Sequence, residues 1–558
     1  MRNLAIILFL SLASISTSCA QSSSDKMSDI VQHKGITSSL HEANIGKIRF
    51  STGSYHQRKY AEGDFLSSFE IAETSDLNFA AFFDNSLTNY LHRLDPTLTV
   101  DELVQNGNFQ FSFYVDGDLL YTENLNLGAG LPSQKNENTI LYRPFLSSEN
   151  LDSWGRFLWM RFYYRNGGNA ALETGTHTLK IEIRPYLRND ELIVGDLIAE
   201  GEIELKLAEP EKVPEEQIAI QPIQSNSGWD ISKDRFDRNK IRVLNERIAQ
   251  NRFKDITSIV VIKDGELLLE EYFNGANRST LHNTRSVGKS FASTMTGIAI
   301  EEGHFTGVDQ TLGEIYDLRQ YHNYSRKKAQ VTLKSLLTMS SGLDGSDNDS
   351  NTPGNDSKMY PTDDWVKFAL DLPMDSNKEI GEVFDYFTAG SVLLGGILDK
   401  SVPGGLEKYT LEKLFKPLGI TDYQWQYTPL NKAHTAGGLA LSALDFAKYG
   451  QLYKNKGTWN KKHILTPDWV EQSLTNHFAD TPQQSGYGFL FWNHEYSANG
   501  KSYEVFQASG YGGNKVIMFT DQPLVIVITA TAFGQPYSHS QVEQMIQNYI
   551  LPAVFVLE

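Results

Sequence analysis

Hydrophobic and polar positions alternate with a period of two through residues 41–208. Phe109, Phe111, Phe113 and Val115 fall on one side of one such run, and Asp116-Gly117 after it is a tight-turn dipeptide. Leu179, Ile181 and Ile183 alternate with Thr178, Lys180, Glu182 and Arg184; Ile203, Leu205 and Leu207 alternate with Glu202, Glu204 and Lys206. One wet and one dry face per strand predicts antiparallel sheet. Several dry faces bury one another most simply in an all-β sandwich. No nucleophile–base pair stands out in this stretch, which reads as a structural appendage or a binding module. Residues 209–227, including Glu209-Pro210-Glu211-Lys212-Val213-Pro214, are polar and proline-bearing without a period, and predict a linker.

The pattern then becomes mixed. Residues 259–262 and 267–269 are apolar runs around Lys263-Asp264-Gly265, a second hairpin signal. After Ser286, the residues Phe291, Met295 and Ile298 recur at helical spacing. Residues 516–519 and 524–529 are apolar strands flanking Asp521-Gln522-Pro523, and a last helix is expected over 540–550. A hairpin first, helices between, and a hairpin plus helix last predict an α/β domain over 228–558. Its antiparallel sheet is built from both ends of that stretch and flanked by helices.

Composition narrows the partners. The chain has 558 residues, 40% hydrophobic and 21% charged, enough apolar side chain for two cores. A net charge of −18 argues against nucleic acid or an anionic membrane surface as partner. Arg2, the mostly apolar run 4–12 and the small residues leading to Ser18-Cys19-Ala20 read as an export signal over residues 1–20, with 21–40 as a tether. The apolar run falls short of the roughly 20 residues a bilayer-spanning helix needs. The sequence holds 1 cysteine, Cys19, which excludes an intrachain disulfide, a Cys-based zinc site and a Cys nucleophile. Ser16-Thr17-Ser18-Cys19 resembles a lipobox with Ser16 in place of leucine. It predicts a lipid anchor on Cys19 and an exported bacterial protein, periplasmic or held at the membrane; simple cleavage after Ala20 is the alternative.

Ser286-Val287-Gly288-Lys289 is the strongest chemical signal. Positions i and i+3 share a helix face, so Lys289 stands one turn from the Ser286 hydroxyl. A serine hydroxyl attacks only when something accepts its proton. A helix N-terminus also offers free N–H groups to a developing oxyanion. Such a spacing arises by chance in long chains, and the neighbourhood decides its meaning.

That neighbourhood resembles the serine β-lactamase and penicillin-binding-protein family, in its class C, esterase-like branch. Thr284-Arg285-Ser286-Val287-Gly288-Lys289-Ser290 is similar to the family's first motif. Val331-Thr332-Leu333-Lys334-Ser335-Leu336-Leu337-Thr338-Met339-Ser340-Ser341-Gly342-Leu343 is similar to the segment that follows. Val383-Phe384-Asp385-Tyr386 resembles the second motif, Ala436-Gly437-Gly438-Leu439-Ala440-Leu441-Ser442 a further block, and Ala508-Ser509-Gly510-Tyr511-Gly512-Gly513 the third, all in family order. The resemblance covers about residues 230–556. It implies Ser286 as nucleophile, Lys289 and Tyr386 sharing the proton work, and the Ser286 and Tyr511 N–H groups as oxyanion hole, with no cofactor and no metal. Thr388, Ala508, Ser509, Gly510 and Trp492 would line the substrate site.

Two departures change the implied substrate. Tyr386-Phe387-Thr388 carries threonine where the family has asparagine or serine. Ala508 stands where a lysine or histidine is usual and offers no cation to a substrate carboxylate. This favours an esterase, amidase or peptide-like hydrolase, with the small-molecule or peptide-like ester or amide as partner. A β-lactamase or D,D-peptidase acting on cell-wall peptides, or a non-catalytic ligand-binding relative, are the alternatives. Ser346-Asp347-Asn348 spells the second motif of class A enzymes, yet sits in the polar run 344–354, which reads as a loop bordering the site; its aspartates lack the closing glutamate of an EF-hand. His434 reads as a loop residue close to the site, and Trp365, Trp425 and Trp469 as core or cleft-wall aromatics.

Overall fold

The computed structural model describes residues 28–53, 61–71, 76–147, 151, 153–479, 481 and 486–555. The expected export segment and Cys19 lie outside them. The chain divides into two compact units between Glu209 and Pro210.

In the first unit, the alternation seen in sequence becomes two sheets sharing one core. One sheet runs in the order Phe65–Leu66, Ile48–Ser51, Leu77–Phe82, Ile140–Leu146. The other runs Ser68–Ile71, Ala199–Leu207, Gly175–Arg188, Gly107–Val115, Asp118–Asn124. Phe111 pairs with Ile183 and Phe113 with Ile181, so the dry positions line up across strands. Phe50, Phe79, Phe111, Phe113, Phe145, Ile181 and Ile203 are buried together between the sheets. Each such side chain contributes roughly 1.5–3 kcal/mol by leaving water. Asp116 and Gly117 take φ of 51° and 95°, the left-handed pair of a hairpin turn. Two features depart from the simple pattern. Ser68–Ile71 pairs with Ala199–Leu207 in parallel. The connections hold helices, among them Leu87–Leu94, Val100–Asn106 and Trp154–Met160.

The second unit centres on an antiparallel sheet. Its order is Glu266–Tyr272, Ile256–Lys263, Leu524–Ala530, Asn514–Phe519, Lys501–Gly510, Trp492–Ala498, Gly486–Tyr487. Ile259 lies opposite Ile528 and Val261 opposite Ile526, so the first strand pairs with the last, as the pattern predicted. Both faces are buried, which explains the unbroken apolar runs. Val260 and Ile262 enter one core with the helices Val287–Glu301, Thr388–Ser401 and Ala443–Lys454. Ile259 and Val261 enter a second with Arg238–Ala249 and Ser538–Met545. The helix expected at 540–550 begins at Ser538 and continues as one wider turn, Ile546–Ile550.

Candidate active site

Ser286 is the N-cap of the helix Val287–Glu301. Arg285 before it is held at φ 54°, a left-handed conformation that a non-glycine residue adopts at a cost. Two glycines permit the neighbours to close on this turn. A Cβ on Gly510 would fall on the Thr284 carbonyl and 3.2 Å from the Val287 nitrogen. A Cβ on Gly437, at φ 130°, would fall on the Arg285 carbonyl and 2.9 Å from the Ser286 nitrogen. The strand Lys501–Gly510 and the 436–438 segment thus press backbone against the serine turn.

Helical spacing brings Lys289 back to the serine. Its Nζ donates to Ser286 Oγ at 2.9 Å and to the Ala436 carbonyl at 2.9 Å. Lys289 is only 2% exposed. The same Nζ lies 5.2 Å from the Tyr386 ring centroid, within cation–π range. Tyr386 stacks on Trp492 at 5.6 Å and 22°, and Trp492 in turn meets Tyr487 edge-on at 4.6 Å. Serine and lysine from one helix end, and tyrosine and tryptophan from two distant stretches, therefore converge.

Thr388 opens the helix Thr388–Ser401, whose N-cap, Phe387, has no side chain able to accept a hydrogen bond. Asp347 fills that place from 41 residues away: the Thr388 N–H lies 3.1 Å from both its carboxylate oxygens, and the Thr388 hydroxyl donates at 2.5 Å. The Asp347 N–H donates to the Tyr386 carbonyl at 2.9 Å. Burial raises the Asp347 carboxyl above its usual range, while the Lys289 charge and the Thr388 hydrogen bonds pull it back. Ser346 turns its hydroxyl onto its own loop, accepting from the Asn348 N–H at 3.3 Å. The 344–354 run thus reaches the site through Asp347. Among the described residues, no three His, Cys, Asp or Glu side chains are grouped to hold a metal ion.

Ala508 is buried on the core side of its strand, opposite Val516. Ser509 pairs with Lys515 and Gly510 with Asn514. Tyr511 just beyond is 53% exposed, and its ring stacks on Phe533 at 6.0 Å. Sequence reasoning missed Asn514, whose amide donates to the Tyr511 and Ala530 carbonyls at 2.9 and 3.0 Å and so fixes the turn after Gly510. A lone asparagine after two glycines carries no signal that distinguishes it from any turn residue.

His434 is closer to the chemistry than a loop residue need be. Its Nδ1 accepts from the Ala436 N–H at 3.3 Å, one peptide from the carbonyl that holds Lys289. Burial, reinforced by the Lys289 charge, pushes the imidazole down to about 4, so near neutral pH it is uncharged with its proton on Nε2. Trp365 packs edge-on against it at 5.1 Å, and Trp425 Nε1 donates to its carbonyl at 3.0 Å. Trp469 is buried against Phe489.

A sequence model of the family described as Beta-lactamase matches residues 248–546. Comparison with curated proteins finds no match. Solved structures to which the chain is similar include the octameric penicillin-binding protein homologue from Pyrococcus abyssi, at 21% identity, covering 56% of this chain and 77% of that one, with a TM-score of 0.44. A penicillin-binding protein homologue from Caulobacter crescentus shares 16% identity over 57% of this chain and 99% of its own, TM-score 0.43. A family VIII carboxylesterase shares 17% over 58% and 98%, TM-score 0.43.

Proposed function

This chain belongs to the β-lactamase family, and from that premise we propose that it is a serine hydrolase cleaving an ester or amide through an acyl-enzyme on Ser286. The 2.9 Å hydrogen bond between Lys289 Nζ and Ser286 Oγ, buried beside the Tyr386 ring, supports the reading most directly. Ser286 Oγ attacks the substrate carbonyl. Its proton passes to the Lys289–Tyr386 pair and from there to the leaving alcohol or amine. The N–H groups of Ser286 and Tyr511 receive the oxyanion. A water then deprotonated by the same pair releases the acid and restores the serine.

Alanine at 508, which has no cation to offer a substrate carboxylate, supports an esterase, amidase or peptide-like hydrolase ahead of a β-lactamase or D,D-peptidase. The apolar run and Cys19 near the N-terminus support export, with a lipid on Cys19 as anchor.

A fluorophosphonate probe tests the chemistry. Ser286 of the wild type becomes labelled, Ser286→Ala does not, and Tyr386→Phe labels on the order of a hundredfold more slowly, as expected when a proton acceptor is lost. Ser346→Ala labels close to the wild-type rate. An unlabelled wild type would turn the reading toward a ligand-binding relative, and loss of labelling in Ser346→Ala alone would move the proton work to the 344–354 loop.

A further inference from the structure

We infer that Asp347 is a positioning residue for proton transfer at Ser286, holding Tyr386 and Thr388 in one turn beside Lys289. The inference rests on the acyl-enzyme reading above.

Three observations carry it. First, one residue grips both ends of the turn: its N–H takes the Tyr386 carbonyl at 2.9 Å, and its carboxylate takes the Thr388 N–H at 3.1 Å and hydroxyl at 2.5 Å. The tyrosine beside Lys289 is therefore fixed from a loop remote in sequence, and the Thr388 hydroxyl is committed to that grip rather than to a substrate. Second, the charge is more than a helix cap requires. Serine, threonine and asparagine cap as well as aspartate, without bringing a carboxylate into a poorly hydrated place. Third, the carboxylate interacts electrostatically with Lys289, the residue that touches Ser286 Oγ.

The groups around the carboxylate define what a change there does. Thr388 hydrogen-bonds it from its own helix, and Lys289 of the nucleophile helix and Asp356 and Tyr360 of the neighbouring segment interact with it electrostatically. A fixed negative charge in this set makes proton release by its other members harder. Loss of the charge lets the set release its proton at lower pH. Loss of the grip frees the Tyr386 ring, and misplacement by an ångström is enough to slow a reaction about a hundredfold.

The rate of fluorophosphonate labelling, followed against pH, reads both effects without knowledge of the natural substrate. In that reaction Ser286 Oγ forms a bond to phosphorus, fluoride leaves, and the hydroxyl proton goes to the Lys289–Tyr386 pair. Asp347→Asn keeps an oxygen for the Thr388 N–H and removes the charge. Thr388→Val keeps the charge and removes the hydroxyl bond. Asp347→Asn is expected to label about tenfold more slowly at its plateau, with the acidic limb displaced by about one pH unit toward lower pH. Thr388→Val is expected to slow labelling with the limb in place. Circular dichroism confirms that each variant is folded; a misfolded Asp347→Asn is replaced by Asp347→Ser, for which the same displacement is expected. A labelled wild type with Asp347→Asn matching it in rate and profile overturns the inference. So does a slowdown in Asp347→Asn with an unmoved limb, which is the signature of a structural cap alone. Failure of the wild type to label on Ser286 overturns the acyl-enzyme reading instead.

Discussion

His434 illustrates how a residue that never touches the nucleophile can govern it. Its Nδ1 accepts from the Ala436 N–H, and the carbonyl of the same residue, in the next peptide, accepts a hydrogen bond from Lys289. Removing the imidazole leaves a buried N–H without an acceptor and lets the carbonyl turn away. Labelling of Ser286 in His434→Ala is expected to fall about tenfold, a loss typical of a displaced catalytic group. His434→Asn sets a side-chain oxygen near the position of Nδ1 and is expected to recover most of the rate. Equal rates in the two variants would show that the imidazole merely fills space beside Trp365. The pairing of Ser286 with Lys289 is readable from their spacing, because i and i+3 must share a helix face. The contributions of His434, Asn514 and Asp347 are not readable: Asp347 acts from 41 residues away, and His434 and Asn514 act on neighbouring backbone groups of segments that carry no period.

Elements show the same division. In the first unit the strands around 109–115, 179–183 and 203–207 were legible from their period of two, and in the second those around 259–262, 267–269, 516–519 and 524–529 from apolar runs beside turn residues. The helices Leu87–Leu94, Val100–Asn106 and Trp154–Met160 were not, since two turns offer too few positions for a period to emerge. The segment after Glu209 likewise reads as a bare linker, yet part of it is fastened to the sheet edge. The Gln221 N–H donates to Glu271 at 2.9 Å, and its side-chain amide donates to the Tyr272 carbonyl at 2.7 Å. Glu271 also accepts from Asn245 Nδ2 at 2.8 Å, while Asn245 Oδ1 has no hydrogen-bond partner among the described residues. Burial raises the Glu271 carboxyl from 4.5 to about 7. Between those values the folded chain keeps a proton that the unfolded chain has released. Stability at this element therefore declines as pH climbs through that window, and the full penalty is present above it. Glu271→Gln removes the buried charge, retains the acceptor and offers a donor to Asn245 Oδ1. Its melting temperature is expected to exceed that of the wild type by about 2–4 °C at pH 8 and to differ little at pH 4.5. A lower value at pH 8 would mean that the carboxylate is stabilised in place.

At the scale of the whole molecule, the proposed location follows from charge and from the proposed anchor. An excess of acidic residues gives the surface no attraction to anionic lipid, so membrane retention in our proposal depends on Cys19 alone. In a bacterial host, full-length wild type is expected to incorporate fatty acid and sediment with membranes, and Cys19→Ser to do neither. Sedimentation of the serine variant with membranes would place the anchor elsewhere. The central sheet of the second unit carries a different consequence. Ile256–Lys263 has Leu524–Ala530 as its inner neighbour, so a ribosome must make nearly the entire unit before that ladder can close. Until then the nascent edge presents unsatisfied amides along a strand whose residues 259–262 are all apolar, an invitation to aggregation that chaperones would have to cover. A premature stop anywhere upstream of residue 524 would therefore yield no partly active enzyme, only a sheet lacking its middle.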